Sequence, residues 1–179
     1  RVTEGRTTAR ESGPVFVFPG HGSQWSGMGR ELLDTSPVFA RRMCDCADAL
    51  APHLDHNPVD VLRGAHALTT PDVTQPALFA VMVSLAALWE SVGVRPAAVV
   101  GHSLGEIAAA CVAGALTLDD AARVAASWGT AQLALHGCGA MVSALMPVEQ
   151  LRERLAPWHG RLHLGAVNGP DNGVVSGDT

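Results

Sequence analysis

An α/β domain with a mainly parallel sheet is the fold class this sequence predicts, and three observations carry the prediction. A short apolar run at 97–100 passes through a glycine-flanked turn into the Ala-rich stretch 107–116. Strand, tight turn and helix in that order form the repeating unit of α/β folds. The chain opens with the same alternation, VFVF at 15–18 followed by a helical pattern. After Ala140 the rhythm changes to strand, helix, strand, strand, which marks a second and smaller unit.

The elements follow in order. Residues 1–13 (RVTEGRTTARESG) have no apolar periodicity and read as a linker or disordered lead-in. VFVF is a β run closed by Pro19-Gly20, and GHGSQWSGMG (20–29) has the composition of a backbone-exposed loop. Ser36-Pro37 supplies an N-cap with Pro at the first helical position, which opens an amphipathic helix toward Leu50. A second helix is expected from about Gln75 to Val92 with Pro76 in its first turn. The strand at 97–100 and the Ala-rich helix come next. Thr117 with Asp120 three residues on reads as a capping box for a helix reaching about Leu135.

Beyond Ala140, MVSALM, VEQLRERLA, LHLGAVN and NGVVSG read as β, α, β, β. A ferredoxin-like unit needs one more helix and strand to close, so the unit is expected to be truncated at Thr179, with an apolar sheet edge left open. The expected organisation is a lead-in at 1–13, an α/β core at 14–138 and an incomplete ferredoxin-like subdomain at 139–179. A first residue of Arg rather than Met fits a piece of something longer.

Composition removes several function classes. Seventeen acidic against twelve basic side chains leave a net charge of −5 and no basic patch for a phosphate backbone, so no nucleic-acid partner is expected. Every basic residue is Arg, so neither a Schiff-base lysine nor a phosphate-loop lysine is present. The most apolar stretch, 78–89, is short for a membrane span and the polar first dozen residues lack a signal-peptide core, which together read as cytoplasmic with no membrane partner. Cys44, Cys46, Cys111 and Cys138 match neither a zinc site nor a disulfide framework and read as reduced, packed thiols.

Gly101-His102-Ser103-Leu104-Gly105 has the form of a nucleophile elbow, in which the glycines let a strained strand-to-helix turn close and lift the serine hydroxyl above the sheet. The string alone is a weak signal. Its position between a VV strand and an Ala-rich helix strengthens it. His102 precedes the nucleophile, so its side chain is expected to leave the turn on another side and to shape a pocket rather than act as base. His53 with His56, and His159 with His163, lack a third ligand or a Glu-bearing helical spacing, and no metal is expected.

Four separated motifs, VFVFPGHGSQWSGMG, QPALF (75–79), GHSLGEIAAA and AVNGP (166–170), together closely resemble the acyltransferase domains of modular polyketide synthases, in the malonyl-CoA:acyl carrier protein transacylase family. The resemblance runs in the right order from Val15 to Thr179. It implies a hydrolase-like parallel-sheet core into which the ferredoxin-like subdomain is inserted. It also implies that Ser103 attacks an acyl-CoA thioester and passes the acyl group to the phosphopantetheine thiol of an acyl carrier protein domain, with no bound cofactor and with neighbouring synthase domains as partners.

The resemblance places the oxyanion hole on the backbone amides of His21 and Leu104, although many members carry Gln where this chain has His21. It carries over Gln75 and Asn168 as supports that orient the acyl site. The family's general base is a His further along than Thr179, and none of the eight histidines here matches its motif.

The main departure is Trp128. Members that accept malonyl or methylmalonyl units usually carry an Arg there to pair with the free carboxylate, whereas this segment reads ARVAASWGTAQ. Arg123 stands five residues away, about 140° round a helix, and faces elsewhere. Trp at this place resembles loading acyltransferases that select starter groups without a carboxylate. The alternative readings are an extender-type acyltransferase, a thioesterase-like serine hydrolase built on the same elbow, and an inactive scaffold domain.

Overall fold

A computed structural model describes residues 13–135 and 137–178. The lead-in expected over 1–13 falls outside these residues except for Gly13, which lies against Arg95 and Ala97. The chain divides into two compact units, which part between Ala134 and Leu135.

The first unit is built on two parallel strands. β1 (Val15–Phe18) pairs with β2 (Ala98–Gly101) in the register Val15↔Ala98 to Phe18↔Gly101, so the two strands finish side by side. Helices pack around them. α2 (Pro37–Leu50) starts at the expected cap, where the Ser36 hydroxyl accepts a hydrogen bond from the Phe39 amide at 3.3 Å, and buries Phe39, Met43, Cys46 and Leu50 along one face. α6 (Leu118–Leu133) is capped by Thr117, whose hydroxyl accepts from the Asp120 amide at 3.1 Å.

Two short helices escaped sequence reasoning. α1 (Arg30–Thr35) grows out of the glycine-rich loop from Gly29, at φ 71°, and α3 (Pro58–Leu62) is capped by Asn57. Neither is long enough to show a helical period.

α4 (Pro71–Ser91) differs from expectation in its start, which comes four residues before Gln75. Pro71 takes the first helical position, after an extended Thr70, and Pro76 sits inside the helix. A proline in a helix interior costs a hydrogen bond, but twelve buried residues in α4 outweigh that local preference. At 21 residues the helix is also long and apolar enough to cross a membrane by length and composition, contrary to the sequence estimate. It is instead the central core helix, packed against α2, α5 (Leu104–Val112) and α6.

The second unit holds β3 (Ala140–Ala144), α7 (Val148–Leu155), β4 (Leu162–Gly169) and β5 (Asn172–Gly177), in the predicted order of types. The strands lie antiparallel in the order β3-β5-β4. α7 lays Leu151 onto Gly173 of β5, where a methyl group would meet the leucine at 2.7 Å. A side chain at Gly173 would require Leu151 to shift.

Candidate active site at the end of two parallel strands

The matched ends of β1 and β2 place two turns beside each other. After Phe18 the chain enters the Pro19-Gly20 loop, and after Gly101 it enters the elbow, with the His102 amide donating to the Phe18 carbonyl at 3.0 Å. Ser103 sits at φ 54°, ψ −123°, and is the one non-glycine with positive φ among the described residues. Such a conformation costs on the order of 1–3 kcal/mol and persists only where the surroundings impose it.

The surroundings here are glycines. A methyl group on Gly101 would overlap the Gly105 carbonyl and the Glu106 backbone, and one on Gly105 would overlap the Phe18 carbonyl and come within 2.7 Å of the Pro19 oxygen. The turn closes only because neither position carries a side chain. The elbow read from the sequence is therefore present in the backbone.

Ser103 is also the residue before α5, yet its hydroxyl makes no capping hydrogen bond and its side chain is exposed. The amides of Gly105 and Glu106 are occupied by the carbonyls of His102 and Ser103, each at 2.9 Å. Leu104 is the first helical residue, where an amide has no acceptor within the helix, and its side chain is fully buried in the core. The helix thus turns a fixed N–H and the positive end of its dipole toward the serine.

From the other strand, Gly20 comes up against the elbow. A methyl group there would lie 3.2 Å from Ser103 Cβ and 3.0 Å from His102 Nδ1. The His102 ring therefore borders the same glycine as the Ser103 Cβ. His21 follows in sequence, exposed, with its Nε2 at 3.3 Å from the Gln24 side-chain nitrogen. The structure thus brings His102, Ser103 and Leu104 together against Gly20, the residue before His21.

The remaining candidates stand on other elements. Gln75 is 1% exposed in the seam between α4 and α6, where its Nε2 donates to Gln132 Oε1 at 2.6 Å while its own Oε1 is buried without a partner among the described residues. Trp128 stands on α6 beside Gly129, which packs against Pro71 and Asp72 at the start of α4. At 45% exposure the indole is not core packing. Arg123 is held by Asp120 at 3.0 Å on the exposed face of α6. Asn168 belongs to the second unit and is exposed on β4 at a register shift, in the strand rather than in a turn.

Other features separate from this cluster. The His56 ring lies beside that of His66, with centroids 5.6 Å apart, and burial lowers its pKa with help from His66. Burial pushes the Cys46 thiol up to about 12 and raises Cys111, as expected of packed thiols, whereas Cys44 and Cys138 are exposed. A recess of about 670 Å³ runs along β1, lined by residues such as Trp25, Met28, Met82 and Trp89 and by none from the elbow. The recess and the strained serine are therefore separate features of this unit.

Comparison with known proteins agrees with this geometry. Residues 15–179 match the family described as the acyl transferase domain. The polyketide synthase GfsE of Streptomyces halstedii is 58% identical over 173 residues, covering 97% of this chain and 4% of that protein. The erythronolide synthase EryA2 of Saccharopolyspora erythraea is 54% identical over 180 residues, covering 99% of this chain and 5% of that one. Among solved structures, the acyltransferase domain from module 8 of the salinomycin polyketide synthase superposes with a TM-score of 0.87 at 61% identity, covering 92% of this chain and 40% of its own. A loading acyltransferase from the avermectin modular polyketide synthase gives 0.88 at 55% identity, covering 93% and 54%. The chain spans about a twentieth of those synthases and about half or less of those two solved chains.

Proposed function

The chain belongs to the acyltransferase domains of modular polyketide synthases, with an α/β fold, and on that premise we propose that Ser103 is the nucleophile of a two-step acyl transfer. The observation that carries the reading is the strained, uncapped Ser103 between Leu104 and the Gly20 loop. In the first step Ser103 Oγ attacks the carbonyl carbon of an acyl-CoA, giving up its proton to a base. Electrons move onto the carbonyl oxygen, where the amides of His21 and Leu104 meet the charge. Each such donor is worth roughly 3 kcal/mol of barrier. When the carbonyl re-forms, the C–S bond breaks and coenzyme A leaves as a thiol with the proton.

In the second step the phosphopantetheine thiol of an acyl carrier protein domain attacks the acyl-serine, and the hydroxyl of Ser103 is restored. The base in this reading is the His that the family carries further along than Thr179. In this reading His102 and Gln75 shape and support the site. The β3-α7-β4-β5 unit is read as the first four elements of a ferredoxin-like subdomain, because its strand order is that of such a fold with the last strand absent. No metal or redox cofactor enters the scheme, and neighbouring synthase domains complete its partners.

For the acyl group, the exposed Trp128 supports a starter unit without a carboxylate, since Arg123 is engaged by Asp120 and the α6 segment offers no second guanidinium. A second reading, an extender-type acyltransferase, is supported by the 61% identity to a domain from an eighth module. Intact-protein mass measurement of the complete domain with a panel of acyl-CoAs tests both. A mass increase equal to one acyl group is expected and should disappear in Ser103→Ala. Persistence of the adduct in that variant would remove Ser103 from its role.

A further inference from the structure

The turn that carries His21 is tied down on both sides. On one side Gly20 is packed against Ser103 and His102. On the other, Gly22 adopts φ 108°, and its amide donates to Gln24 Oε1 at 2.8 Å. The Ser23 hydroxyl adds a weaker bond to the Gly20 carbonyl at 3.3 Å. His21 is the residue between these two anchors.

The orientation of the Gln24 amide is fixed by its partners. A backbone N–H can only donate, so the carboxamide oxygen must face Gly22. The NH2 end then faces His21, 3.3 Å from Nε2. An NH2 can only donate, so that ring nitrogen must accept, and the ring proton sits on Nδ1. One side chain thereby holds both the backbone after His21 and the ring of His21.

We infer that Gln24 is a positioning residue for acyl transfer: its carboxamide clamps Gly22 and the His21 ring, and so keeps the His21 amide trained on the oxygen that becomes charged above Ser103. The inference rests on the reading of Ser103 as nucleophile. It assigns no contact between Gln24 and the substrate. A donor of this kind helps only when it is already in place as charge develops, so a looser turn should slow chemistry and leave ground-state binding nearly unchanged.

The test uses the complete domain as wild type, Gln24→Ala and Gln24→Glu, with propionyl-CoA acylation kinetics and the ¹⁵N shifts of His21 as readouts. Gln24→Ala should lose about ten-fold in acylation rate, with KM changed by less than about two-fold, and should lose the Nδ1–H signature. Gln24→Glu keeps an oxygen for the Gly22 amide and should stay within about three-fold of wild type in rate, while turning His21 to donate from Nε2. Thermal unfolding of all three should coincide, since the contacts are on an exposed loop. If wild type acylates and Gln24→Ala does so within about two-fold of it, or if Gln24→Glu is as slow as Gln24→Ala, the role of Gln24 is wrong. If wild type forms no acyl-serine with either propionyl-CoA or methylmalonyl-CoA, the reading of Ser103 fails and the role falls with it.

Discussion

Gly20 faces Ser103 so closely that a methyl group on the glycine would lie 3.2 Å from the serine's Cβ. The two residues are far apart in sequence. They meet because Phe18 and Gly101 are paired across β1 and β2 and because the His102 amide reaches back to the Phe18 carbonyl. Where two parallel strands end together, the loops that leave them share one space, which is the general location of sites in α/β folds. Contact between the loop and the elbow follows from the pairing of the strands.

The strain at Ser103 gives a stability prediction independent of catalysis. Ser103→Gly removes a positive-φ penalty of about 1–3 kcal/mol and adds about 0.5–1 kcal/mol of backbone entropy cost, so it should stabilise the complete domain by about 1 kcal/mol. Ser103→Ala keeps the strain and should be nearly neutral. Both should be devoid of acyl-enzyme. Chemical denaturation of the two variants decides the point, and equal stability of Ser103→Gly and Ser103→Ala would mean that the turn is relaxed.

Gly105→Ala should be far more damaging than its chemistry suggests. The new methyl would overlap the backbone carbonyl of Phe18, which cannot rotate away because it accepts the His102 amide. A loss of at least about 3 kcal/mol is expected, along with acylation. By contrast Gly114→Ala, where the space is open but φ is 74°, should cost only about 1 kcal/mol.

Much of this was legible because local chemistry and tertiary demand agree. The Ser36-Pro37 and Thr117-Asp120 signals predicted caps that the structure contains, and the glycines of the elbow could be assigned their purpose from their spacing together with the strand before them and the Ala-rich helix after them. The start of α4 was misplaced because Pro76 reads locally as a first-turn proline, and only the burial of the helix on several sides carries the helix through it. The partnership of Gln75 with Gln132 was invisible, since a hydrogen bond between side chains on different helices leaves no periodic trace. The clamp by Gln24 was likewise hidden, because a Gln in a polar loop ordinarily points to solvent.

The Gln75–Gln132 bond should behave as a buried polar contact. Gln132→Ala leaves the Gln75 NH2 without its acceptor and should cost about 1–3 kcal/mol. Gln75→Leu removes a carboxamide whose oxygen is already unpartnered, so it should cost little by itself and should suppress the effect of Gln132→Ala. A double-mutant cycle from denaturant melts reads the coupling. Additive losses would show that the two amides act independently.

Cys46 predicts the alkaline limit of stability. Burial lifts its thiol to about 12 from an ordinary 9.0, with Arg42 pulling the other way. A group whose folded pKa is raised contributes stability that is complete below its unfolded pKa and is lost as pH rises through the folded one. The window therefore runs from pH 9 to about 12. Cys46→Ala should lower stability at neutral pH but flatten the decline across that window, as read by thermal melts, and Cys44 should be alkylated at pH values where Cys46 is inert.

Trp128 carries the last prediction, that the complete domain prefers propionyl-CoA or a branched short-chain thioester over malonyl- or methylmalonyl-CoA. The indole is 45% exposed on α6 rather than packed in the core, so it is available to meet an acyl chain. A malonyl-type carboxylate entering a partly dry site sheds water, and Arg123, the one other candidate on this helix, is engaged by Asp120. Charge-assisted hydrogen bonds are worth roughly 1.5–3 kcal/mol, so the diacid should be disfavoured by at least about ten-fold. Trp128→Arg should shift acylation toward methylmalonyl-CoA without matching an extender domain, because the neighbouring side chains were not shaped for the ion pair. Competing propionyl-CoA against methylmalonyl-CoA on the same protein decides it. Faster acylation of wild type by methylmalonyl-CoA would mean that the carboxylate is bound by another group and that the domain loads extender units.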